Sequence, residues 1–236
     1  MQFEQKKKYT IGDLLKIMEI LRSPEGCPWD REQTHKSIRN NLIEETYEAV
    51  EAIDTEDSEL LQEELGDVLF QVVFHAQLEK EKGGFDFSDV VDGVTKKLVE
   101  RHPHVFGDVV VKNSSEVLAN WEAIKQRTKG RKTTAEILEG VSPALPALMR
   151  AQKLAKKAAK ADGKPLEKGT SLDWLAEAAR QLAQLPDSAG EDEKLRRVGR
   201  LLFSAAAFSE TSGVEAEQAL AQYCDGFVRE YGEKNK

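Results

Sequence analysis

Cysteine is nearly absent: Cys27 and Cys224 are the two in 236 residues, almost two hundred positions apart. They form no spacing motif, which leaves no disulfide framework to read and fits a reduced compartment. Long hydrophobic runs are missing too. The longest, Val68–Phe70 and Val72–Phe74 on either side of Gln71, falls far short of the ~20 residues a spanning helix needs. Lys6, Lys7 and Lys8 follow the start with no apolar stretch behind them, so no secretory signal is visible. A cytoplasmic protein with no membrane partner is the expectation. Positive charge is also short, with 34 Lys and Arg against 42 Asp and Glu and a formal charge of −8. A phosphate backbone demands a basic footprint, so nucleic acid is not the expected partner.

Helical periodicity is plentiful. Ile11, Leu14, Leu15, Met18 and Leu21 recur at helical spacing behind Thr10, a ready N-cap. Ser23-Pro24 and Gly26-Cys27-Pro28 end that helix, and Trp29 reads as a core anchor for the loop, with nucleotide contact as the alternative. A second helix is predicted from about Thr34 to Ile53 and a third from about Ser58 to Lys82, stopped by Gly83-Gly84. Ser88 is the predicted cap of a fourth, ending near His102-Pro103, and Ser114 or Ser115 of a fifth, through Trp121 and Ile124. Residues 106–111 read equally as a short strand or a loop. Further helices are predicted near 145–162, 172–185, 193–209 and 214–231. Short connections favour antiparallel neighbours, so the expected fold is all-α, of four-helix-bundle type. A cationic, apolar-poor stretch from Lys125 to Lys132 marks a break. The division predicted is a helical domain over 1–130, a linker over 131–144 and a second helical domain over 145–236.

Between Arg39 and Lys80 there is no lysine or arginine, while twelve acidic residues crowd the stretch. Glu44, Glu45, Glu48 and Glu51 lie on adjoining faces of the second helix, where like charges three or four apart cost about 0.2–0.5 kcal/mol per pair. Glu64 and Asp67 form an i,i+3 pair on the third, embedded in Leu65-Gly66-Asp67-Val68-Leu69-Phe70. Carboxylates among core-type residues are costly unless a cation meets them. Two facing helices would bring both pairs to one spot, and a hard divalent cation, Mg²⁺ or Mn²⁺, suits such oxygens. A solvated acidic face is the ordinary fate of a single acidic cluster, and it suffices for Glu56, Asp57 and Glu59. A di-iron carboxylate bundle needs two Glu-x-x-His units, and only Glu32–His35 fits here. Downstream, Arg101-His102-Pro103-His104 clusters donors suited to phosphate oxygens. Trp121 and Lys125 share a helical face, where core packing and base stacking both account for the tryptophan.

Four ordered motifs across residues 10–128 resemble the MazG family of nucleoside triphosphate pyrophosphohydrolases. They are Gly26-Cys27-Pro28-Trp29-Asp30; Glu44-Glu45-x-x-Glu48 followed by Glu64-x-x-Asp67; Arg101-His102-Pro103-His104-Val105-Phe106; and Asn113 to Trp121. The resemblance implies hydrolysis of NTPs and dNTPs, with broad specificity, to the monophosphate and pyrophosphate. It further implies Mg²⁺ in an all-α core, a homodimer or higher homo-oligomer, and a nucleotide house-cleaning role. Carried over by position, Glu45, Glu48, Glu64 and Asp67 match the metal ligands, and Glu44 the acid that orients or deprotonates water. Arg101 and Lys125 match positions near phosphates, and Trp121 one near the base.

Two-domain members of that family carry a second carboxylate motif, and here its remnant is altered. Glu64-Leu65-Gly66-Asp67-Val68-Leu69-Phe70 lines up, at a shift of 133, with Arg197-Val198-Gly199-Arg200-Leu201-Leu202-Phe203. The same shift pairs Glu44 with Glu177, Glu45 with Ala178 and Glu48 with Gln181. Arginine cannot ligate a cation, so the second repeat is expected to keep its fold and lose its chemistry, its arginines held structurally or binding an anionic nucleotide. The alternative to an enzyme is a non-hydrolysing nucleotide-binding regulatory or scaffold protein.

Overall fold

A computed structural model describes residues 3–129 and 133–234, and among them there is helix but no strand. No described helix is long and apolar enough to cross a membrane. The chain divides into two compact units, Met1–Ile124 and Lys125–Lys236.

The first unit opens with α1 (Ile11–Leu21). Asp13 closes a capping box on Thr10: its Oδ2 accepts from the Thr10 N–H at 2.9 Å and from the Thr10 hydroxyl at 2.8 Å, while Lys6 Nζ sits 2.5 Å from Oδ1. The Lys6 hydrogen bond, followed by the two from Thr10, holds the Asp13 carboxyl down at about 2. An acid depressed in the folded state stabilises at every pH above its unfolded value, and that contribution is lost as pH falls from about 4 through 2. Asp13→Asn is therefore expected to lower Tm by a few degrees at pH 7. The gap to wild type should close by pH 2, as read by calorimetry across that range.

The turn after α1 leads to α2 (Pro28–Glu32). It is tight because Gly26 has no side chain: a Cβ there would strike the carbonyl oxygens of Ile20 and Leu21. Arg22 fastens the turn. Its Nε and Nη2 clasp Glu81 at 2.8 and 2.7 Å, and Nη1 donates to the Asp30 carbonyl. Asp30 is the buried residue of this loop, whereas Trp29 is 58% exposed, so the core-anchor expectation for the tryptophan is not met.

A hairpin follows, α3 (Arg39–Asp54) and α4 (Ser58–Glu81). The connection is short: Glu56 adopts a left-handed φ of 56°, and the Asp57 carboxylate accepts from the Glu59 and Leu60 N–H groups at 3.0 Å each. α3 starts at Arg39, not Thr34, because the Thr34 and Ser37 side chains bond each other's backbone N–H and fold that stretch into a turn. Met18, Ile38, Val73, Phe74 and Leu78 form the core where α1 and the hairpin meet.

Next come α5 (Phe87–Arg101), α6 (Pro103–Phe106) and α7 (Ser114–Lys129). Asp86, not Ser88, caps α5, in a box with Asp89. The cap of α7 is Asn113 rather than either serine, its Oδ1 accepting from Glu116 N–H at 3.0 Å. Beyond α6 the chain is irregular, so the strand considered over 106–111 is absent.

The second unit holds α8 (Thr134–Glu139), α9 (Ala147–Ala161), α10 (Lys168–Ala183), α11 (Glu191–Thr211) and α12 (Ala216–Lys234). The stretch that reads as linker thus contains α8, started by a Thr133–Glu136 capping box. Alanines dominate the buried apolar set, with Ala155, Ala178, Ala206, Ala207 and Ala216 joined by Val141. Buried Gln152 ties three places together: Nε2 donates to Glu210 and to the Val214 carbonyl, and Oε1 accepts from Ala216 N–H. α10 pairs with α11 as α3 does with α4, and α11 begins 133 residues after α4.

Candidate active site

The hairpin register sets the acidic faces of α3 and α4 against each other. Glu45 and Glu48 come from α3 and Glu64 from α4, and each presents an oxygen within 4.8 Å of the other two. Glu64 is only 8% exposed. No lysine or arginine pairs with any of the three among the described residues. Burial first, then the Asp67 and Glu48 charges, pushes the Glu45 carboxyl up. Burial first, then Glu48 and Asp67, does the same to Glu64. Asp67 therefore belongs to the same electrostatic cluster. Glu44, one residue from Glu45, lies exposed beside it.

Four carboxylates with no lysine or arginine paired to them among the described residues are expensive as they stand. The donor set fits a divalent cation: all ligating atoms are oxygen, and their spread is close to the roughly 3–4 Å oxygen separations around an ion with 2.0–2.1 Å bonds. Nitrogen and sulfur ligands, which softer metals favour, are missing from the group. The di-iron alternative fails on position, because His35 faces His75 and Glu79 and not this cluster.

Of the downstream donors, Arg101, His102 and His104 lie in the same unit, whereas Lys125 is the first residue of the second. The Arg101 guanidinium lies 5.1 Å over the Trp121 ring, and its Nε is buried without a hydrogen-bond partner, as is His104 Nδ1. Unmade hydrogen bonds on buried polar nitrogens are costly and are the feature of this group that points to a ligand. His102 is committed elsewhere, its Nδ1 2.6 Å from the Leu98 carbonyl. Lys125 is in α7, but its side chain lies outside the described residues. In the second unit, Arg197 bonds Glu193 Oε1 through Nε and Nη2 at 3.1 and 2.6 Å and donates from Nη1 to the Gln181 carbonyl; Arg200 reaches Gln181 Oε1 at 3.1 Å. Both arginines are held within the unit.

Among the described residues the protein is helix and loop throughout, with carboxylates converging from two facing helices, an arrangement able to hold a divalent cation. Residues 33–106 match the MazG nucleotide pyrophosphohydrolase domain. The chain is 43% identical over 226 residues to the nucleoside triphosphate pyrophosphohydrolase of Escherichia coli K12, covering 94% of this chain and 86% of that protein. It is 40% identical over 225 residues to the nucleoside triphosphate pyrophosphohydrolase/pyrophosphatase MazG of Thermotoga maritima, covering 93% and 83%. With the nucleoside triphosphate pyrophosphohydrolase of Mycolicibacterium smegmatis it shares 40% over 157 residues, 66% of this chain and 47% of that one. The chain belongs to the MazG family of nucleoside triphosphate pyrophosphohydrolases.

Proposed function

We propose that the first unit hydrolyses nucleoside triphosphates, ribo- and deoxyribo- alike, to the monophosphate and pyrophosphate, using Mg²⁺ or Mn²⁺ held by Glu45, Glu48, Glu64 and Asp67. The observation that carries this reading is the convergence of Glu45, Glu48 and buried Glu64, with no lysine or arginine paired to them among the described residues. When bound, the ion neutralises triphosphate charge and lowers the pKa of a coordinated water. Exposed Glu44 accepts the proton of the attacking water. The new bond forms from water oxygen to the α-phosphorus, and the bond to the α–β bridging oxygen breaks. Pyrophosphate leaves with that electron pair. Arg101 meets phosphate oxygens with the donor it leaves unsatisfied in this state, Lys125 adds a second charge, and Trp121 approaches the base. Exposed Ile43, Tyr47, Val50, Leu65 and Leu69 lie on the same two helices. They are the apolar area that a homodimer would cover, expected to run in light scattering at twice 26.4 kDa. The second unit is a repeat of the first without its carboxylates, and cytoplasmic nucleotide house-cleaning is the setting implied.

The test is product analysis by anion exchange, with each common NTP and dNTP, with and without Mg²⁺. Monophosphate plus pyrophosphate, formed only with metal, is the expected result. Diphosphate plus phosphate would put the cut at the wrong bond. Tight binding without turnover would favour the regulatory or scaffold class instead.

A further inference from the structure

The α3–α4 hairpin is closed at one end by its short connection, and at its open end side chains do the closing. His35, in the turn leading into α3, has Nδ1 2.8 Å from His75 Nδ1 and Nε2 2.6 Å from Glu79 Oε1, both partners on α4. The imidazole planes differ by only 4°, with centroids 5.1 Å apart. That separation is close to the nitrogen–nitrogen distance plus two ring radii. The rings therefore meet edge to edge, nearly coplanar, as a hydrogen bond through both nitrogens requires.

Proton counting constrains this chain. Ionised Glu79 only accepts, so His35 Nε2 carries a hydrogen. Between the two Nδ1 atoms there is room for one proton, because whichever ring donates, the other must offer a lone pair. The trio therefore holds at most one imidazolium. With both rings charged, two N–H groups would point at each other with no acceptor between them. The surroundings do not relieve a second charge. Lys82 Nζ is 3.1 Å from Glu79 Oε1, and Glu81 is occupied by Arg22. Lys36 and Lys82 share with His35 the wall of a cavity of about 420 Å³, together with Arg22 and Glu81. Burial, then the His35 charge, holds His75 below the ordinary histidine value. Lys82 and then His35 keep Glu79 ionised.

We propose that His35, His75 and Glu79 form a one-proton clamp fastening the start of α3 to α4, and that uptake of a second proton releases the open end of the hairpin carrying the carboxylate cluster. The clamp stands independently of the hydrolase reading; only its consequence for turnover depends on that reading. The second unit supplies a comparison. At the shift of 133, His35 and His75 correspond to Lys168 and Phe208, and Lys168 Nζ lies 5.8 Å over the Phe208 ring. That contact contains no imidazole.

Histidine-selective ¹H–¹⁵N spectroscopy of the full-length protein, titrated from pH 8 to 5 without metal, tests this directly. At pH 8, His35 is expected as the Nε2–H tautomer and His75 as the rarer Nδ1–H tautomer. The pair should take up its two protons in separate steps, the second well below the first. Amide exchange in the first turn of α3, corrected for its intrinsic pH dependence, should quicken several-fold below pH 6. The double variant His35→Lys/His75→Phe, which copies the second unit, should abolish that pH dependence. Two Nε2–H tautomers titrating together at the ordinary value would overturn the clamp, as would an unchanged pH dependence of exchange in the double variant. If that variant does not fold, the wild-type tautomers and titration decide alone.

Discussion

Glu64→Gln is expected to cut metal-dependent pyrophosphate release about a thousandfold while raising the Tm of the metal-free protein. Glutamine keeps the shape of the side chain and removes its charge. A thousandfold loss is about 4 kcal/mol of barrier, the several kcal/mol by which a well-held ion stabilises a phosphoryl transition state. The stability change has the opposite sign because Glu45 and Glu64 are both pushed up by burial and by each other's neighbours. A carboxyl raised in the folded state stabilises below its unfolded value, and that contribution is lost as pH rises through the folded value. At pH 7 the metal-free cluster is therefore a liability, and the amide removes part of it. Mg²⁺ should raise the Tm of wild type by mass action and leave the variant almost unmoved. Calorimetry with and without Mg²⁺, beside kcat/KM, separates a lost ion from a lost fold. Unchanged turnover in Glu64→Gln would remove this cluster from the chemistry.

The carboxylates are legible in the sequence because helical spacing alone places Glu45 with Glu48, and Glu64 with Asp67, each on one face. Their opposition across α3 and α4 follows from a connection too short for anything but an antiparallel hairpin. Other features depend on choices that spacing does not make. Asp86 caps α5 where Ser88 is equally suited, and Asn113 caps α7 ahead of two serines, because aspartate, asparagine and serine all satisfy the first turn and the preceding loop selects among them. The size of Trp29 argues for burial, but the close turn that Gly26 permits puts Asp30 inward instead. The His35–His75–Glu79 chain joins residues 40 and 44 positions apart in sequence. Its only signal along the chain is the i,i+4 spacing of His75 and Glu79, which is common on any helix. In the second unit, the sequence places arginines at 197 and 200 where the shift of 133 puts Glu64 and Asp67; that their partners are Glu193 and Gln181 depends on helix pairing.

Phe74→Ala is expected to cost about 3–5 kcal/mol, because it removes the largest fully buried side chain among the described residues. Phe74 is 1% exposed at the centre of the cluster with Met18, Ile38, Val73 and Leu78. Phe70 meets its ring edge-on at 5.7 Å, and the Arg22 guanidinium lies 5.5 Å from its face. Removing the ring empties a space bounded by α1, the lead-in to α3 and α4, and it withdraws the surface on which Arg22 rests while it holds the α2 loop and Glu81. The shift of 133 puts Ala207 at the corresponding place in the second unit, fully buried. An alanine there suits a unit whose buried apolar residues are mostly alanines, Ala155, Ala178 and Ala206 among them, which let helices close on one another. In the first unit the neighbours are Met, Ile, Val and Leu, whose bulk holds the helices apart, so a cavity remains. Against a domain stability of about 5–15 kcal/mol, such a loss brings the first unit near its unfolding threshold. Urea titration followed by circular dichroism should show the midpoint of one transition fall sharply with its m-value unchanged, and a second transition stay in place. A variant within about 1 kcal/mol of wild type would mean that the α1–α4 contact is not the core of this unit.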